Sequence, residues 1–138
     1  MRYLPHPLHE QIELTTVLEA LSDPTRLAIV LMLADMVEEY AVEVEPEQRC
    51  SAFQHLGSKT NLTYHFARLR AAGVTHARAE GTSRFISLRR ADLDSRFPGL
   101  LDTVITAARG GKPTATVRES RRSARPSRRR PPPTAASV

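Results

Sequence analysis

Between Pro24 and Met36 the residues Leu27, Ile29, Val30, Leu31, Met32, Leu33 and Met36 cover most of the circumference of a helix. A helix apolar on nearly every side cannot lie on a surface, so it must be the centre of a small domain. Its start is marked locally. Asp23 can accept hydrogen bonds as an N-cap, and Pro24 occupies the first helical position, where a missing N–H leaves nothing unsatisfied. The remaining elements must therefore wrap this one helix, which restricts the chain to a mainly helical architecture.

The flanking segments follow from their apolar spacing. His9 to Leu21 carries Ile12, Leu14, Val17, Leu18 and Leu21 and predicts a first amphipathic helix. Val37 to Arg49 is acidic and aperiodic and reads as a helix end plus loop. Cys50 to Leu56 reads as a short third helix or turn ended by Gly57. Lys59 to Ala72 places Leu62, Phe66 and Leu69 inward at spacings of four and three, with Gly73 as its stop. Val74–Ala79 and Ser83–Leu88 are strands joined by a turn at Glu80-Gly81-Thr82. Arg90 to Ala108 forms a terminal helix interrupted at Phe97-Pro98-Gly99. The predicted fold is mainly α with a small β-hairpin, in the order α-α-α-α-β-β-α, which is a winged helix-turn-helix.

Charge is segregated along the chain. Residues 1–48 hold two Lys/Arg against ten Asp/Glu, whereas residues 49–90 hold eight against Glu80 alone. Residues 109–138 add nine Lys/Arg against Glu119. A basic middle segment and a basic tail are what a polyanion-binding face and arm would produce. Residues 1–8 read as an extension, 9–109 as the DNA-binding and dimerisation domain, and 110–138 as a disordered tail too poor in large apolar side chains to offset ordering entropy. That tail is either a sequence-independent DNA arm or a solubilising extension.

Other function classes are disfavoured by what the chain contains. No apolar run approaches the roughly 18 residues of a membrane span, and residues 1–7 do not resemble a secretory signal; the expected location is the cytoplasm, with no membrane partner. Paired carboxylates, a Cys/His couple and a glycine-rich phosphate loop are all missing, so no catalysis and no cofactor are expected. Cys50, the lone cysteine, is either a buried inert thiol or a candidate for pairing with a second chain.

Leu18-Glu-Ala-Leu-Ser-Asp-Pro-Thr-Arg-Leu-Ala-Ile resembles the opening signature of the arsenical-resistance repressor class, the ArsR/SmtB-type regulators. Ser58-Lys-Thr-Asn-Leu-Thr-Tyr-His-Phe-Ala-Arg-Leu-Arg-Ala-Ala-Gly-Val is similar to its recognition helix, and Glu80-Gly-Thr-Ser-Arg-Phe-Ile-Ser-Leu to its wing. The resemblance spans about residues 9–108. It implies a homodimer, a winged helix on each protomer, and repression usually relieved by an inducer. The Cys-x-Cys type motif of the metal-sensing members is absent from Gln48-Arg49-Cys50-Ser51-Ala52. The terminal helix has Asp92, Asp94 and Asp102 but no histidine, so no metal site is expected.

Given this fold, the first turns of the recognition helix reach base edges in the major groove of double-stranded DNA. Asn61 suits adenine and Lys59 suits guanine or phosphate; Thr60 and Thr63 suit phosphate or a thymine methyl, and Tyr64 suits phosphate. Arg68 would hold the backbone, and Arg78 and Arg84 would bring the hairpin against the minor groove or its phosphates. Ile12 and Val17, with Leu100, Leu101, Val104 and Ile105, form apolar stripes assigned to dimerisation, or else they complete the monomer core. A dimer paired this way demands an inverted-repeat operator. A protein-binding adaptor built on the same fold, governed by a partner protein rather than a small inducer, is the alternative.

Overall fold

The computed structural model describes residues 2–40 and 45–110. The tail expected over 110–138 lies, beyond Gly110, outside the described residues, as do positions 41–44 of the acidic stretch. The chain divides after Ile105 into two units; the first is described below, and of the second only the end of the last helix through Gly110.

The central helix forms as its pattern requires. Helix α2 spans Pro24–Tyr40, with Ile29, Val30, Leu33 and Ala34 buried. The Asp23 carboxylate caps it by accepting the N–H groups of Thr25 at 2.8 Å and Arg26 at 3.1 Å. The helix runs past Met36 because no glycine or proline follows until Pro46. Helix α1 is shorter than its apolar spacing suggests, covering Leu14–Leu21, while His9–Gln11 makes a separate 3₁₀ turn. Ile12 explains the break. It is extended (φ −75°, ψ 122°) and fully buried, and its carbonyl accepts from the Arg96 guanidinium rather than from a helical N–H.

Cys50–Leu56 folds as a 3₁₀ helix whose Phe53 is fully buried edge-on against Phe66, centroids 5.7 Å apart. Helix α3 spans Lys59–Ala71, capped by Ser58, whose hydroxyl accepts the Asn61 N–H at 3.2 Å. Leu62 and Leu69 are buried and Phe66 half-buried, as the four-and-three spacing predicts. The helix ends in a Schellman motif: the Gly73 N–H bonds Arg70 O and the Val74 N–H bonds Leu69 O, both 3.1 Å or less. Gly73 has φ +84°, and a Cβ there would lie 2.6 Å from Ile12 Cγ1. No side chain fits between the end of α3 and the strap that carries Ile12.

The hairpin follows at once. With β1 at Arg2–Tyr3 and β2 at Gln48–Arg49, its strands are β3 (Thr75–Glu80) and β4 (Ser83–Leu88). They pair from Thr75↔Leu88 to Glu80↔Ser83, leaving Gly81 (φ +60°) and Thr82 as the turn. The second strand lies where its pattern puts it, whereas the first starts and ends one residue later than expected, since the Val74 N–H is used to close the α3 cap on Leu69 O while its carbonyl accepts from Arg89. The sheet is antiparallel and four-stranded, in the order β1-β3-β4-β2. Its helix-facing side carries Thr75, Ala77, Ala79, Ile86 and Leu88, all buried; the other side carries His76, Arg78 and Phe85. The terminal helix is two helices, α4 (Arg90–Arg96) and α5 (Leu100–Ala108), separated at Pro98 and at Gly99 with φ +82°. Leu93, Leu101 and Ile105 seal the core. The architecture is a winged helix, and among the described residues no helix is long and apolar enough to cross a membrane.

Candidate nucleic-acid interface

The same spacing that buries Leu62, Phe66 and Leu69 turns the opposite face of α3 to solvent. Lys59, Thr60, Asn61, Thr63 and Tyr64 are all exposed, Tyr64 by 55%. The side chains of Lys59, Thr60 and Asn61 make no hydrogen bond or ion pair among the described residues. Thr63 differs, since its hydroxyl donates to Lys59 O at 2.9 Å and leaves its methyl outward. Tyr64 is braced along the helix by Arg68, whose guanidinium lies 5.9 Å from the ring centroid and is ion-paired with Glu19 of α1. These residues share one face of one helix beside the positive pole of its dipole, a surface suited to a polyanion.

The hairpin contributes a second set of cations in two different states. Arg78 donates to the Glu47 carboxylate at 2.8 Å and 3.0 Å and to Glu80 at 3.0 Å, and lies over the Phe85 ring at 4.4 Å. Glu47, and then Glu80, hold its guanidinium above the ordinary arginine value. Arg49 reaches the same ring at 5.3 Å. Arg84 sits across from Ala79, on the sheet face turned toward α3, where its charge acts on Arg70 of α3 and on Cys50. Neither Arg70 nor Arg84 has a hydrogen bond or ion pair among the described residues. Burial, and then the Arg84 charge, lowers Arg70 below its usual value. Burial pushes the Cys50 thiol up to about 11, so near neutrality it is protonated and a poor nucleophile.

A sequence comparison bears on this arrangement. Over 88 residues, 64% of this chain and 82% of the relative, it is 34% identical to the uncharacterized HTH-type transcriptional regulator YceK of Bacillus subtilis (strain 168). The chain belongs to the helix-turn-helix transcriptional regulators. No family model matches it.

In this helix-turn-helix regulator the polar face of α3 is held from behind. Arg26, only 6% exposed, donates from Nε to Ala20 O at 2.6 Å and from Nη2 to Glu19 O at 3.4 Å. Its Nη1 reaches His65 Nδ1 at 3.1 Å, and His65 Nε2 lies 3.8 Å from the Asp23 carboxylate. The Arg26 N–H above all, assisted by the nearby His65, holds that carboxyl below its ordinary value.

The residues assigned to dimerisation divide by burial. Ile12, Val17, Leu101 and Ile105 are buried within this chain's own core, at 1–5% exposure, and Leu100 and Val104 are half-buried. On α1 the apolar side chains left outward are Leu14 and Leu18, at 43% and 45%. Arg70, Arg49, Glu19 and Glu47 were not visible as site residues in the sequence. For Arg70 a signal existed: it lies seven residues after Thr63 and so shares its helix face. The carboxylates have no such signal, because their partners are 31 and 49 positions away.

Proposed function

We propose that the chain is a repressor of the ArsR/SmtB type that binds an inverted-repeat operator in double-stranded DNA as a homodimer. The observation that carries this reading is the unpartnered polar face at the start of α3, Lys59, Thr60 and Asn61, beside a basic hairpin. Docked in the major groove, Asn61 and Lys59 read base edges, while Thr63, Tyr64 and Arg68 hold phosphates. Arg78 and Arg84 bring the hairpin to the adjacent backbone, with Arg70 as a further phosphate donor. The basic residues beyond 110 add sequence-independent attraction.

In this reading the second protomer meets the helical side of the molecule. Leu14 and Leu18, exposed on α1, and Leu100 and Val104, half-buried on α5, are the apolar side chains it would cover. Charge reversal at Leu14→Glu with Leu18→Glu is expected to give monomers in sedimentation and to abolish operator binding. A variant that stays dimeric would remove α1 from the interface.

The deciding experiment is selection of genomic fragments by the purified full chain at moderate salt, followed by footprinting. Recovery of one inverted-repeat site is the expected result. Retention of fragments sharing no motif would favour the protein-binding adaptor.

A further inference from the structure

Arg26 presents an unusual demand. A guanidinium has five N–H donors and no acceptor, and this one is buried, so each donor turned inward needs an oxygen or nitrogen lone pair. Two are met by the carbonyls of Ala20 and Glu19, which end α1. The third points at His65 Nδ1, 3.1 Å away, on the flank of α3 between its exposed and its buried residues. Since arginine can only donate, Nδ1 must be the acceptor, and the ring carries its proton on Nε2, facing the Asp23 carboxylate at 3.8 Å. Asp23 in turn caps α2 through the N–H groups of Thr25 and Arg26. A single imidazole therefore joins α3 to the last carbonyls of α1 and the first turn of α2. One turn further along, Arg68 makes a further polar link, to Glu19, whose carboxylate also lies 3.9 Å from Arg26 Nη2.

We infer that His65 is the positioning residue of this regulator, fixing the angle of α3 against the α1–α2 junction through its acceptor nitrogen on Arg26. The role rests on the DNA-binding reading above and requires no contact of His65 with DNA. The apolar contacts of Leu62, Phe66 and Leu69 hold α3 to the core but tolerate rocking, because dispersion has no direction. A hydrogen bond to a guanidinium already fixed by two carbonyls does have direction. Loss of it allows α3 orientations that misplace Lys59 and Asn61, and apparent affinity falls by the fraction of molecules correctly set.

The test uses substitutions that separate shape from acceptor chemistry. In His65→Asn, the amide oxygen occupies the place of Nδ1 and can still accept from Arg26. In His65→Leu, volume is kept but the acceptor is lost. The probe is a DNA fragment selected by the wild-type protein, with a random duplex as control. The expected result is a loss of about tenfold or more in specific affinity for His65→Leu. His65→Asn should stay within about threefold of wild type, and neither variant should change random-duplex binding. Equal specific affinity in wild type and His65→Leu would overturn the inference while leaving the DNA-binding reading intact. If the wild type itself selects no common fragment, the DNA-binding reading falls, and the inference with it. Should His65→Leu fail to fold, ¹⁵N NMR of the wild-type ring decides: an unprotonated Nδ1 with resolved Arg26 Nη protons supports the link, and a protonated Nδ1 overturns it.

Discussion

The exposed start of α3 and the hairpin that follows it are both basic, yet they stand in opposite electrostatic conditions. Lys59, Thr60 and Asn61 are unpartnered and hydrated. Arg78, the most engaged cation of the hairpin, is already held by Glu47 and Glu80 and stacked on Phe85. Binding a phosphate at α3 replaces water alone, whereas at Arg78 it must displace two carboxylates. Exposed ion pairs are individually worth only about 0–1 kcal/mol, so exchange is feasible but yields little net gain. Basic residues in a hairpin are therefore not equivalent as DNA contacts. Arg84 and Arg70, which have no such partners, are the stronger candidates beside α3.

The largest expected effect severs the geometric relation between the two regions. Gly73→Ala places a Cβ against Ile12 at a left-handed position, and a loss of about 2–3 kcal/mol in denaturant unfolding is expected. A change below about 0.5 kcal/mol would show that Ile12 yields easily and that the junction is soft. Next comes the helix face itself. Lys59→Ala combined with Tyr64→Phe should weaken specific binding by about 2 kcal/mol, near thirtyfold, with no change in Tm. Unaltered affinity would move DNA recognition away from α3.

The arginines of the hairpin and of the end of α3 give a smaller and more discriminating signal. Arg70→Ala with Arg84→Ala should reduce the salt slope of binding by about two and affinity by about 1–2 kcal/mol. Arg78→Ala should change both by less than half as much. Glu47→Gln with Glu80→Gln, which frees Arg78, should steepen the slope; an unchanged slope would mean that Arg78 never meets DNA.

The smallest effect concerns the N-terminal strap along the hairpin. His6 stacks on His76, centroids 4.4 Å apart, and its Nε2 accepts the Ala77 N–H at 2.9 Å, which only an unprotonated ring can do. Burial, and then His76, lowers its pKa from 6.5. The folded state thus binds this proton less readily than the unfolded chain. The stability it contributes is complete above pH 6.5 and is lost as pH falls from 6.5 through the lower folded value. His6→Gln should lessen the drop in Tm between pH 7.5 and 5.5 by about 1–2 °C, and an identical drop would show that the strap does not sense acid.

What could be read beforehand was whatever has a period or a local cap. α2 follows from Asp23-Pro24 and its apolar run, and α3 from the spacing of Leu62, Phe66 and Leu69. The exposure of Lys59 to Tyr64 follows from that same spacing. The two-residue strands β1 and β2 are too short to carry any alternation. The break at Ile12 depends on Gly73 and Arg96, distant in sequence, and the occupancy of Arg78 depends on Glu47. The link between Arg26 and His65 crosses 39 positions. Its two members are each ordinary residues within a helix until the fold brings them together.

β1 and β2 lie outside the hairpin, one along each of its long edges, and each offers only two residues of backbone to the outside. A foreign strand would find almost no ladder to extend, so growth of the sheet from molecule to molecule is blocked on both sides. The hairpin can therefore remain a basic, solvent-facing element without becoming a site of aggregation.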